Sequence, residues 1–136
     1  MRLRKLIAAA GVAGTVAGLG LVPAGEASAV TADCSGSQFV CLYYQVPAGG
    51  YGATFKQTFS IPDYAPYVFT GPSGSAGVGV SVRNHVGAVD SWYSGTFTIY
   101  YNTGYICAVA CQSVPAMATV DLNSALKNNN ASGALN

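Results

Sequence analysis

The chain has 136 residues, of which 51% are hydrophobic and only 8% charged, and its formal net charge is +1. Its cationic excess sits at the very start, in Arg2, Arg4 and Lys5; beyond residue 30, Lys56, Arg83 and Lys127 face Asp33, Asp63, Asp90 and Asp121. A balance this sparse offers no electrostatic footprint for nucleic acid or an anionic membrane, and excludes both as expected partners.

The first segment reads as an export signal. A basic start is followed by an apolar, Ala- and Gly-rich run from Leu6 to Val22, and Ala27-Ser28-Ala29 supplies the small-x-small pattern of a cleavage site after Ala29. Gly11, Gly14, Gly18, Gly20 and Pro23 argue against a membrane anchor, which needs about 20 apolar residues in an unbroken helix. The expected division is a cleaved signal over 1–29 and a single domain over 30–136, giving a secreted, extracellular protein.

Strand signals dominate the rest. Phe39 to Tyr44 is aromatic and β-branched and is stopped by Pro47-Ala48-Gly49-Gly50. Tyr51 to Phe59 alternates and returns as a second strand. Pro62 and Pro66 make Ile61 to Phe69 an irregular crossing segment, and a Gly-Ser-rich loop over Gly71–Gly79 leads to a predicted strand at Val80–Arg83. Phe97 to Tyr101 is the clearest later strand, turned by Asn102-Thr103-Gly104, and Ser132–Asn136 is predicted to close the sheet. Short strands punctuated by turn residues predict an all-β sandwich or barrel.

The chain also repeats itself. Val40-Cys41-Leu42-Tyr43-Tyr44-Gln45 returns as Thr98-Ile99-Tyr100-Tyr101-Asn102, Ile61-Pro62-Asp63-Tyr64 as Thr119-Val120-Asp121-Leu122, and Ser81-Val82-Arg83-Asn84-His85 as Ala125-Leu126-Lys127-Asn128-Asn129. Matches in one order imply a duplicated unit, with one copy over about 34–92 and the other over about 95–136. Four cysteines allow three pairings. Cys34–Cys41 and Cys107–Cys111 are favoured, because each pair is close in sequence and sits at the same place in the repeat relative to a Tyr-Tyr strand. Zinc lacks ligands, since His85 alone could join a cysteine set and neither spacing is C-x-x-C.

Tyr100-Tyr101-Asn102-Thr103-Gly104-Tyr105 resembles the aromatic hairpin that opens each Greek-key motif of the βγ-crystallins, with Cys107 where the family has glycine. Asn128-Asn129-Asn130-Ala131-Ser132-Gly133 is similar to that superfamily's calcium signature, whereas Asn84-His85-Val86-Gly87-Ala88-Val89 keeps only the first asparagine. Within the superfamily, the export signal and one local cysteine pair per copy resemble the secreted peptidase inhibitor family typified by the Streptomyces metalloproteinase inhibitor. The resemblance implies a sandwich of two Greek-key motifs, acting as a monomer against an extracellular metalloprotease. It also implies that the loop Cys107, Ala108, Val109, Ala110 and Cys111 is presented to the protease, with the bond between Cys107 and Ala108 in the scissile position. This loop is shorter than the family's.

The remaining candidates are weighed on their own residues. Calcium is the one ion the signature implies, with Asn129 and Ser132 as donors; the competing reading is that these asparagines only shape a turn. No other cofactor is expected. Catalysis is not expected either: His85 is the only histidine, no G-x-S-x-G motif occurs, and no glutamate follows Glu26. The nine tyrosines read mainly as framework, and Trp92 reads as core. Two other functional classes fit the same chain, a non-catalytic crystallin-like binding or structural module and a small secreted toxin.

Overall fold

The computed structural model describes Cys34 and residues 36–136; the expected signal and its cleavage point lie outside the described residues. Seven strands form two antiparallel sheets. In the first, β1 (Val40–Tyr43), β2 (Thr54–Gln57), β3 (Ala88–Ser91) and β6 (Thr119–Asp121) are ordered β2-β1-β3-β6. In the second, β4 (Phe97–Tyr100), β5 (Cys111–Val114) and β7 (Ser132–Leu135) are ordered β5-β4-β7, and Ile61 extends the β7 edge through a bridge to Gly133.

The two halves exchange their third elements. β6 comes from the second half but pairs with β3 of the first, while Ile61 comes from the first and pairs with Gly133 of the second. This is Greek-key wiring applied twice. A local two-fold correspondence follows from the register: Tyr43 pairs with Thr54 and Ala88, as Tyr100 pairs with Cys111 and Ser132. The turns before β3 and β7 also reach for each other. Asn84 N–H donates to the Asn130 carbonyl at 2.7 Å, and Asn128 N–H donates to the Val86 carbonyl at 3.1 Å. Both asparagines have a positive φ, 63° and 59°, a backbone state that asparagine tolerates better than most residues. The sequence match of Asn84 with Asn128 is therefore a match in three dimensions.

The core lies between the sheets. Val40 and Leu42 of β1, Phe97 and Ile99 of β4, and Val89 and Val114 point inward with the period of two that strands impose. Ile61, Tyr64, Phe69, Val82, Val86, Leu122 and Leu126 fill the ends. Burying side chains of this size stabilises by about 1.5–3 kcal/mol each. One polar group is sealed inside with its bonds complete: Gln57 donates to the carbonyls of Phe59 (2.8 Å) and Gly133 (2.9 Å) and accepts from the Tyr64 hydroxyl (2.7 Å). These bonds tie β2 of one sheet to β7 of the other.

Two expectations fail. Val80–Arg83 is not a strand; it forms one isolated bridge, Val68 to Ser81, and then turns, with His85 Nδ1 bonded back to the Ser81 carbonyl. Val82 is apolar because it plugs the core from that turn. The strand that pairs with β1 on the side away from β2 is Ala88–Ser91, whose Ala, Asp and Ser give it little β signal. Trp92 is not core either. It is 37% exposed, its indole N–H donating to Asp90 at 2.9 Å.

Candidate functional site

Both cysteine pairs are bonded as expected, Cys34 to Cys41 and Cys107 to Cys111, but their surroundings are opposite. Cys41 lies within β1 and points away from the main core. There it is covered by Cys34, Phe39 and Tyr43 in a second small cluster. The bridge fastens the segment before β1 over the outer face of the sheet, and Lys56 Nζ sits 3.9 Å from the Phe39 ring centre as a lid. The expectation that both pairs occupy one place in the repeat is thus corrected. Cys41 is a strand residue, whereas Cys107 and Cys111 close the tip of the second hairpin.

That second hairpin, between β4 and β5, is pinned from below. Ser132, fully buried, donates its hydroxyl to the Asn102 carbonyl at 2.6 Å and accepts the Tyr105 N–H at 3.2 Å. Gly104 N–H donates to the Pro62 carbonyl at 2.8 Å, and Tyr101 N–H to the Ala110 carbonyl at 3.0 Å. Tyr100 and Tyr105 pack edge to face, 6.1 Å between centres. The left-handed pair that folds the hairpin over is Gly104 (φ 69°) and Tyr105 (φ 62°), where the first hairpin uses a run of three, Gly50 (φ 79°), Tyr51 (φ 63°) and Gly52 (φ 70°). Cys107 is therefore relieved of the glycine-type conformation that the aromatic spacing assigns to it.

What stands clear of this base is the short run Ile106-Cys107-Ala108-Val109, exposed throughout, with Ile106 56% and Val109 64% accessible. Ile106 has extended backbone, φ −91° and ψ 119°. Ala110 turns back to pack against the core, and Cys111 starts β5. Ile106 is an exposed apolar residue beside the loop that the Cys107–Cys111 assignment left out. Its signal was present: a bulky aliphatic in a turn segment, outside any strand alternation.

The calcium candidates are separated in character. Asn129 is exposed, while the Ser132 hydroxyl is engaged by Asn102 and Tyr105. Among the described residues no group of three or more His, Cys, Asp or Glu side chains comes together. His85 Nδ1 lies 3.0 Å from the Ser81 carbonyl and 2.8 Å from the Arg83 carbonyl. Since carbonyls only accept, this nitrogen carries the proton, and among the described residues no carboxylate orients the ring as a catalytic base requires. Among the described residues no helix is long and apolar enough to cross a membrane.

A solved structure from work on the evolution of the eye-lens βγ-crystallin domain fold superposes with a TM-score of 0.55. The superposition covers 74% of this chain and 89% of that one at 19% identity. The fold is that of a βγ-crystallin domain. No family model and no curated protein matches the sequence. The paired Greek keys, the exchanged third elements and the folded-over hairpins are accordingly features of a shared architecture, and function rests on what is built at its edges.

Proposed function

We propose that this βγ-crystallin-fold protein is a secreted, non-catalytic binding module that inhibits extracellular metalloproteases, with the Cys107–Cys111 loop as its contact element. The observation that carries the reading is the exposure of Ile106 just before, and Val109 at the centre of, a cystine-closed, three-residue loop. Protease clefts take an extended strand with apolar side chains in pockets. A bridge across the loop holds both ends of the presented segment, so little ordering remains to be lost on binding. Cleavage between Cys107 and Ala108 would leave the halves joined and re-ligation favoured. The Ser132 clamp beneath the hairpin supplies the stiffness that such a contact needs.

The test is residual thermolysin activity against increasing disulfide-intact protein, with Ala108→Asp and Val109→Asp alongside. Stoichiometric inhibition by the parent is expected. Either aspartate would place an unpaired carboxylate in an apolar pocket, weakening inhibition by roughly 100-fold or more. Because both positions are exposed, the melting temperature should move by no more than about 1–2 °C. A fully oxidised protein that leaves a panel of metalloproteases untouched removes the proposal and leaves a binding module with another target.

A further inference from the structure

A second site lies against the first hairpin, away from the cystine loop. Where that hairpin leans on the paired asparagine turns there is an open cleft of about 460 Å³, lined by Tyr44, Gln45, Asn84, His85, Lys127 and Asn128. Small-molecule sites run from roughly 300 to 1,000 Å³, so the space suits one or two sugar rings.

The floor is built rather than incidental. Gly77, at φ +90°, lies against the face of the Tyr44 ring so closely that a side chain there would overlap it. Gly87 lets the backbone of Gln45 and Val46 come down onto the turn, where an added Cβ would stand 3.0 Å from the Gln45 carbonyl carbon. Tyr44 is then stacked with His85, ring centres 6.3 Å apart and planes 22° from parallel. His85 is held from behind by the two carbonyls on Nδ1, which leaves Nε2 as the uncommitted nitrogen of the ring.

The rim has a distinct chemistry. Among the described residues, no hydrogen bond engages the side chains of Gln45, Asn84, Lys127 or Asn128. Three of these are amides, each a donor and an acceptor at once, the pairing that matches neighbouring hydroxyls. The fourth is a cation, and among the described residues no carboxylate lines the cleft. Lys127 makes no ion pair among the described residues, whereas its counterpart in the other copy, Arg83, is matched to Asp63 at 3.5 Å. A cleft with a lysine and without an acid disfavours hard metal cations and favours an anion.

We infer that this cleft binds an acidic saccharide, its carboxylate met by Lys127 and its hydroxyls by the amides of Gln45, Asn84 and Asn128 and by the accepting Nε2 of His85. This site goes beyond the protease reading and stands or falls separately from it. The test is a titration of the oxidised protein with sodium glucuronate, glucose and inorganic phosphate, followed through backbone amide signals. Glucuronate is expected to shift Asn84, His85, Lys127 and Asn128 saturably, binding about tenfold more tightly than glucose, the worth of one charge-assisted hydrogen bond. Lys127→Gln should lose that advantage while leaving glucose binding unchanged. Asn128→Asp keeps a residue type that accepts the positive φ and adds a negative charge, and it should weaken glucuronate further. Both side chains are exposed, so neither change threatens folding. No saturable shift, glucose equal to glucuronate, phosphate as tight as glucuronate, or an unaltered Lys127→Gln would each overturn the assignment.

Discussion

The two hairpins share a frame and differ in what covers them. Each links strand ends in the same register, Tyr43 opposite Thr54 and Tyr100 opposite Cys111, across loops of equal length. The first is covered at its base, while Pro47–Gly49 and Gly50 at its tip are exposed. The Gly71–Gly79 loop lies over it, with Ala53 N–H bonded to the Ala76 carbonyl at 2.7 Å, and Cys34 and Phe39 close the other face. The second has neither cover, and it is tied by the Ser132 clamp, the Gly104–Pro62 hydrogen bond and its own cystine. Loop-closure entropy assigns the two bridges similar weights, about 2.5 kcal/mol for Cys34–Cys41 and about 2 kcal/mol for Cys107–Cys111. Burial decides the difference. One bridge is part of a core, and the other holds a tip in shape.

The sharpest break between the copies is Gly133, whose register counterpart in the first is Val89, the two pairing with Ile99 and Leu42. A side chain at Gly133 would run into the Tyr64 hydroxyl and the Phe97 ring. Gly133→Val, which makes the copies alike, should cost about 3 kcal/mol in urea unfolding as overpacking of a sealed core. A loss under about 1 kcal/mol would show that Tyr64 can move and that the asymmetry is not needed.

Next in size is the pair of bridges. Cys34→Ala with Cys41→Ala should cost about 2.5 kcal/mol or more, since it also leaves a gap under Phe39. Cys107→Ala with Cys111→Ala should cost about 2 kcal/mol or less and abolish inhibition. Mild reduction followed by alkylation should label Cys107 and Cys111 in the native protein and spare the other two. Equal labelling would erase the distinction between core and tip.

The last effects, of single hydroxyls, concern two buried tyrosines. Tyr64 has a partner in Gln57, whereas the buried Tyr43 hydroxyl has none among the described residues. At neutral pH, Tyr64→Phe should cost about 1–3 kcal/mol for the orphaned amide oxygen, and Tyr43→Phe close to nothing. Burial raises both phenols above the usual tyrosine range, helped by Tyr105 at Tyr64 and by Asp90 and then Tyr51 at Tyr43. The folded state therefore keeps protons that the unfolded chain releases above about pH 10. Stability is complete below that pH and falls as pH rises further, by up to about 1.4 kcal/mol per unit for each group. Denaturation midpoints measured from pH 8 to 11.5 should fall less steeply in Tyr43→Phe; an unchanged slope would mean that this phenol does not titrate with unfolding.

Much of the frame was legible because it rests on side chains with one role. The Phe97–Tyr100 and Val40–Tyr43 strands carry the period of two, and Asn84 and Asn128 mark turns that few residues can make. The Ile61 match shows where legibility stops. Tyr64 N–H and Leu122 N–H donate to the equivalent carbonyls of Ala131 and Gly87, but Ile61 corresponds to Val120, one position off the sequence alignment. The first copy holds one extra residue at Pro62-Asp63, and no local signal announces it. Ala88–Ser91 was hidden because its partners on both sides make it a strand. For the candidate sites, the cystine loop could be read from spacing. The saccharide cleft could not, since Tyr44, Asn84 and Lys127 meet only through tertiary pairing.

The exchange of third elements also has a consequence in time. Gln57 waits for the Gly133 carbonyl, 76 residues away, and β3 lacks one neighbour until β6 arrives. A chain emerging from its N-terminal end can form the first hairpin but not close either sheet, so contacts between distant segments should make folding slow and all-or-none. A nascent first half therefore stays uncommitted until β7 has emerged, and separate halves should regain structure only when mixed.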